Sequence, residues 1–240
     1  KNAPDKEMLL PQLQTVYTIL HIEDDISGRQ LVKHILNLKN IELIQTDNIE
    51  NVSSLLQMHA PDLIISDLMI DNVLIEPTLN DIKQQNPNLP IIVISAFDRD
   101  QMLTISPFFL QKPFDVNKLL DQVFVILGQN ENEKPNLEPS YEQYDFNKEK
   151  IANFLSMLHD EFNNYISRIE AVYESKNQKE WEAILHKIIT HIKNMNLDKL
   201  SSVLPEKIEN LNEEALLKVQ NLLRYYQCFF RTERDANSID

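Results

Sequence analysis

Between residues 15 and 128 the chain alternates short apolar runs with amphipathic stretches. Three runs stand out: Tyr17–Ile22, 63–66 and Ile91–Ser95. Each is nearly continuous in hydrophobicity and rich in β-branched residues, which is how a parallel strand buried on both faces reads. Weaker runs at 41–45 and Phe108–Gln111 predict two further strands. The stretches 28–38 and Val52–His59 have helical spacing. Strand and helix in alternation predict βαβ units, and hence an α/β domain with a doubly wound parallel sheet of five strands over 15–128.

Residues 129–140 are polar and contain two prolines, so they read as a linker. Beyond them the strand texture ends. Ile151, Phe154, Leu155, Leu158, Phe162, Ile166, Ile169 and Tyr173 recur at steps of three and four, which predicts one long amphipathic helix. Trp181, Ile184, Leu185, Ile188, Ile192 and Met195 predict a second, and Leu216 to Phe230 a third. A shorter segment around 200–211 contains Pro205, which is expected to start or kink a helix. Four antiparallel helices over 141–233 would bury these stripes as an all-α four-helix bundle. The ends, 1–14 and 234–240, read as tails.

Composition narrows the function. The 240 residues carry 23 Lys+Arg against 37 Asp+Glu, a net charge of −14. That surface is unsuited to non-specific nucleic-acid binding, so no nucleic-acid partner is expected. No apolar run reaches the ~18–20 residues that span a bilayer, and no signal-peptide pattern follows Lys1. The lone Cys228 excludes an internal disulfide and a cysteine-based zinc site, and a reducing cytoplasm is the expected compartment. There are two glycines, Gly28 and Gly128, where average usage of ~7% predicts far more. A Gly-rich phosphate loop therefore has nothing to be built from.

Sites in open α/β sheets form at the carboxyl ends of the strands. The runs here end in Glu23-Asp24-Asp25, Asp67, Ser95 and Lys112-Pro113. Three of these carboxylates, a hydroxyl and an ammonium should gather at one edge. Such a carboxylate cluster suits a hard divalent cation held through oxygen, and magnesium fits a site shared with a phosphoryl group. If Asp67 attacks a phosphoryl donor, the metal, Lys112 and Ser95 are the groups that can neutralise the three equatorial oxygens.

These motifs resemble the receiver domain of two-component response regulators: Ile19 to Asp25, Leu63 to Met69, Ile91 to Ala96, and Lys112-Pro113-Phe114. The resemblance implies a flavodoxin-like fold, a phosphoryl acceptor at Asp67, and magnesium held by Glu23, Asp24, Asp67 and the backbone carbonyl of Met69. It further implies Ser95 as the switch hydroxyl, Phe109 as the switch aromatic, Lys112 as the phosphate partner, and a cis Lys112–Pro113 bond. The chain departs from the family after the acceptor. Ile70-Asp71 stands where Met-Pro and a nearby Gly are usual, and the Gly-Ala before the fifth strand is missing. Lys112 follows Ser95 by 17 positions, so the helix between them is expected to be short.

The histidines sort by context. His21, His34, His59 and His159 lie inside predicted strands or helices and read as structural or solvent-facing. His186 falls off its helix's apolar stripe, on a polar face with Thr190, Lys193 and Asn194. An imidazole exposed in mid-helix can accept a phosphoryl group. The region 141–233 resembles a histidine phosphotransfer (HPt) domain, with Leu200 lying 14 residues after His186. Ile189 and Thr190 take the places of the usual Lys and Gly. His191 lies nearer the buried side.

The expected function is thus a two-component phosphorelay protein. Asp67 takes a phosphoryl group with magnesium and exchanges it with His186, and the partners are a cognate histidine kinase or HPt protein, or a second copy of the chain. The tandem resembles the C-terminal part of hybrid sensor kinases, although no kinase ATP-binding domain is recognisable. The rival is a receiver whose pseudo-HPt bundle serves docking or dimerisation without relay. A phosphatase on the same fold ranks below both, because such enzymes place a second acid two residues after the nucleophile, where Met69 stands.

Overall fold

The computed structural model describes residues 11–96, 106, 108–129 and 131–238. The chain divides into two compact units, 13–127 and 128–240 with 1–12. Within 13–127 the elements run β1 (Tyr17–Ile22), α1 (Ile26–Ile35), β2 (Ile41–Thr46), α2 (Val52–His59), β3 (Leu63–Asp67), β4 (Met69–Ile70), β5 (Val73–Leu74), α3 (Glu76–Gln85), β6 (Ile91–Ser95) and β7 (Phe108–Gln111), and α4 (Val116–Gly128) closes the unit. Five strands form one parallel sheet in the order β2-β1-β3-β6-β7. The order reverses at β1, so the carboxyl ends of β1 and β3 flank the switch point of a flavodoxin-like sheet.

The three strong apolar runs are the three inner strands. Ile19, Ile22, Ile64, Ile65, Ile91 and Ile92 are fully buried. The two weak runs are the sheet edges β2 and β7, where half-burial dilutes the hydrophobic signal. α1 begins two residues before the expected start, because Asp25 caps it: its Oδ2 accepts from the Gly28 N–H at 2.6 Å. The short helix expected between Ser95 and Lys112 falls largely on 97–105, outside the described residues.

One element was not expected. Immediately after Asp67, β4 and β5 pair antiparallel, with Met69 opposite Leu74 and Ile70 opposite Val73. The two-residue turn, Asp71-Asn72, has φ of 50° and 61°. Two positive φ values are what a type I′ turn requires, and Asp and Asn tolerate that region where most residues do not. The missing glycine is thereby replaced.

Among the described residues, the second unit has three long helices, α6 (Lys148–Ser175), α7 (Gln178–Met195) and α9 (Glu213–Asn237), with two short ones, α5 (Glu138–Gln143) and α8 (Asp198–Val203). Asparagine caps each long helix: Asn147, Asn177 and Asn212 accept from the N–H of Lys150, Glu180 and Ala215. The core holds Phe162 edge-on to Tyr165, Tyr226 and Phe230. Pro205 neither starts nor kinks a helix. It lies beyond the end of α8, and its carbonyl accepts from the buried Trp181 Nε1 at 3.0 Å. α9 continues to Asn237, past the expected start of the tail, with Asn237 Nδ2 bonded to the Glu233 carbonyl.

The polar stretch before α5 packs on this unit. Pro135 and Leu137 are buried, and the Asn136 N–H donates to the Met195 carbonyl at 2.9 Å. Glu133 accepts from the Lys199 N–H and from the Tyr226 hydroxyl.

Candidate functional site

The acidic groups stand where the sheet topology puts them. Glu23 and Asp24 follow β1, Asp67 ends β3, Ser95 ends β6, and Lys112 follows β7. The Lys112 N–H donates to the Ser95 carbonyl at 2.7 Å, and the Lys112–Pro113 bond is cis. The Lys112 ammonium lies 2.5 Å from Asp67 Oδ2 and 2.8 Å from Glu23 Oε2, bridging two carboxylates from different strands.

Each carboxylate is further held. Asp67 Oδ1 accepts from the N–H groups of Leu68 at 2.5 Å and Met69 at 3.2 Å, so the turn after β3 fixes one oxygen while Lys112 takes the other. Asp24 Oδ2 accepts from the Asp71 N–H at 2.8 Å, from the tip of the unexpected hairpin. Arg29 donates to the backbone carbonyls of Glu23 and Asp24, each at 2.8 Å, pinning the loop that carries them.

Burial raises the Glu23 pKa above the ordinary carboxylate range and nearby Asp67 adds to that, against the opposing pull of Lys112. For Lys112 burial acts downward, but Asp67 and Glu23 outweigh it and hold the ammonium charged. His21, beneath the site in β1, is buried and neutral, its pKa pushed down to about 3 by burial and then by Lys112 and Arg29. Its Nδ1 lies 2.9 Å from Gln45 Nε2.

Gly28 owes its place to this site. A Cβ there would come within 2.9 Å of the Glu23 carboxyl carbon and Oε2. Nothing in the sequence pattern marks that contact, nor the backbone link from Asp71 to Asp24. Ser95 is wholly buried, and Phe109 is half-buried on β7 opposite Val93, packed against the core of the sheet unit.

The donor set is one of hard oxygens, the kind magnesium takes. Among the described residues, however, no three His, Cys, Asp or Glu side chains gather round a common point. Lys112 holds one oxygen each of Glu23 and Asp67, and the Asp71 N–H holds one oxygen of Asp24.

In the helical unit, His186 is exposed on α7, and Ile189 beside it is 41% exposed. The Thr190 hydroxyl folds back onto the His186 carbonyl at 3.3 Å. His191 is instead engaged: its Nε2 lies 3.1 Å from Glu161 Oε2, and its ring packs edge-on to Phe162 and Tyr165. Among the described residues no helix is long and apolar enough to cross a membrane.

Comparison with solved structures finds matches that cover about half of this chain. The chain is similar to the receiver domain of the Francisella response regulator 1452, at 23% identity over 48% of this chain and 98% of that one, with a TM-score of 0.44. It is similar to the N-terminal domain of an uncharacterized protein from Wolinella succinogenes, at 27% identity over 46% and 94%, with a TM-score of 0.42. A third is the signal receiver domain of an HD domain-containing protein from Pseudomonas fluorescens Pf-5, at 20% over 48% and 96%, with a TM-score of 0.44. Independently of these, a family model matches the sequence from the first inner strand into the last helix of the sheet unit, and residues 19–124 are a response regulator receiver domain.

Proposed function

We propose that this receiver accepts a phosphoryl group on Asp67 from a phosphohistidine donor in a two-component relay. The observation that carries the reading is the Lys112 ammonium set against both Asp67 and Glu23 at the strand ends. An Asp67 carboxylate oxygen attacks phosphorus, the P–N bond to the donor imidazole breaks, and the imidazole leaves with the bonding pair. Asp67 is oriented for this by the N–H groups of Leu68 and Met69. Lys112 supplies positive charge to the transferring oxygens, and Ser95, at the end of β6, a hydroxyl. Glu23, Asp24, Asp67 and the Met69 carbonyl are the groups to hold a magnesium ion, which when bound neutralises phosphoryl charge. Phe109, beside the core of the same edge, is the aromatic of the switch.

The helical unit is read as HPt-like, and its three long helices with α5 and α8 stand in for the four-helix bundle. Exposed His186 is then the group that exchanges phosphate with a receiver, in a cytoplasmic relay whose partners are a histidine kinase or another HPt protein. The second reading, a docking or dimerising module without relay, draws on exposed Ile189 beside His186, where a phosphate-binding Lys would stand.

The test is labelling of the full chain with a small phosphodonor and magnesium. The reading expects a base-labile acyl phosphate in the wild type and none in Asp67→Asn. Undiminished label in Asp67→Asn overturns it. For His186, incubation with a phosphorylated receiver should give an acid-labile, base-stable label that His186→Gln loses. If that label never forms, and Ile189→Lys with Thr190→Gly does not create it, the docking reading stands.

A further inference from the structure

We propose that the Asp71-Asn72 turn positions Asp24 for metal binding, a role that rests on the reading of Asp67 as phosphoryl acceptor. Three observations meet here. The hairpin follows the acceptor directly, and its inner strand is anchored: Leu68 and Ile70 are buried in the core, and the Ile75 N–H donates to the Leu68 carbonyl at 2.9 Å. Its turn residues both hold positive φ, so the direction of the Asp71 N–H is set by backbone geometry. That N–H meets Asp24 Oδ2 at 2.8 Å across 47 residues of sequence.

The consequence follows from carboxylate geometry. Accepting one N–H on Oδ2 leaves Oδ1 of Asp24 to a cation while fixing the plane and rotamer of the group. Outer hydrogen bonds of this kind orient a metal-binding carboxylate, and losing one typically costs 10–100-fold in affinity. The side chain of Asp71 takes no part in the contact, since the backbone makes it. The turn therefore requires residues that accept positive φ, and the charge at position 71 is incidental.

Three variants of the full chain separate these elements. Asn72→Gly keeps the turn, because glycine adopts positive φ freely. Asp71→Asn keeps the turn and removes the charge. Asn72→Val puts a β-branched residue where positive φ is a genuine outlier, and should redirect the Asp71 N–H. The first readout needs no metal: in the metal-free protein, the Asp71 amide proton resonance should shift in Asp24→Ala and in Asn72→Val, and hold in Asn72→Gly. The second is magnesium titration, followed by amide resonances around residues 23–24 and 67–69. Asn72→Val should bind about tenfold more weakly than the wild type, with the other two turn variants within twofold of it.

An Asp71 amide indifferent to Asp24→Ala overturns the proposal, as does wild-type magnesium affinity in Asn72→Val. A tenfold loss in Asp71→Asn would assign the effect to charge and overturn it equally. Failure of the acceptor reading looks different: no acyl phosphate forms on Asp67 although the amide and magnesium responses appear as expected.

Discussion

Gly28→Ala is the sharpest probe of how tightly the acidic site is packed. The residue is the third of α1, inside a helix, and its φ is not positive, so alanine strains nothing in the backbone. Taken alone, the exchange should stabilise the helix by up to ~1 kcal/mol. The new methyl, however, would lie 2.9 Å from Glu23 Oε2, the same oxygen that the Lys112 ammonium holds at 2.8 Å. Glu23 is nearly fully buried, its side chain 4% exposed, and has little room to retreat. Displacing it weakens a charge-assisted hydrogen bond of about 1.5–3 kcal/mol and leaves a buried carboxylate underpaired. The second effect is larger, so a net destabilisation of the receiver by ~1–2 kcal/mol is expected. For a unit of this size that lowers its midpoint by roughly 5 °C.

The chain supplies its own control for this measurement. Its single tryptophan, Trp181, lies buried in the helical unit, so tryptophan fluorescence reports that unit while far-ultraviolet circular dichroism reports both. Gly28→Ala should shift the dichroism transition and leave the fluorescence transition in place. Acyl-phosphate formation on Asp67 should slow in parallel, because Lys112 is shared between Glu23 and Asp67. A variant that is ~1 kcal/mol more stable, with unchanged phosphorylation, would show that helix propensity alone governs the position and refute the packing argument.

Three further outcomes are expected. Trp181→Phe removes the Nε1 bond to the Pro205 carbonyl and should destabilise the helical unit by about 1–3 kcal/mol, read by thermal dichroism; a change below 0.5 kcal/mol contradicts the role given to that bond. Burial holds the His159 pKa below 6.5, and Asp160 pulls upward while Arg231 and Arg234 press downward. Because the folded value is depressed, its stabilising contribution is present above pH 6.5 and lost as pH falls through the folded value, so His159→Gln should flatten the acid side of the helical unit's stability profile. Ala60 caps α2 at φ 43°, and Ala60→Gly should relieve ~1 kcal/mol of left-handed strain, partly offset by chain entropy; urea melts showing any loss of stability would count against it.

The sequence was most legible where burial is complete. The inner strands β1, β3 and β6 are continuous apolar runs because both faces are covered, and the residues that end or follow them make up the candidate site. What escaped was backbone-borne. The β4–β5 hairpin spans six residues, too few for a periodic signal, and its turn uses Asp-Asn instead of a dipeptide ending in Gly. The link from Asp71 to Asp24 is an N–H contact that any residue except proline could make, so no side chain announces it. Residues 129–140 read as linker from their polarity, yet 131–137 pack on the helical unit. Their attachment comes from Pro135, Leu137 and the carboxylate of Glu133, a density of anchors too low to register as an apolar pattern. Pro205 misled because a proline marks a helix boundary without saying on which side the helix lies.

The two glycines, scarce enough to exclude a phosphate loop, acquire a different meaning in the structure. Neither has positive φ. The left-handed positions are filled instead by Asn40, Ala60, Asp71, Asn72, Asp145, Phe146, Lys176 and Asn196, most of them Asn or Asp, whose short polar side chains tolerate that region best. Conformational freedom has thus been delegated to other residues. The glycines remain where a Cβ would collide: Gly28 against the Glu23 carboxyl, and Gly128 against the Tyr225 ring. The acidic site shows both halves of this division. Asn72 and Asp71 carry the turn that meets Asp24, and Gly28 clears the space that lets Glu23 reach Lys112. Without the glycine expected after Asp67, the acidic pair is still set by backbone geometry, with one carboxylate fixed from the hairpin and the other from the first helix.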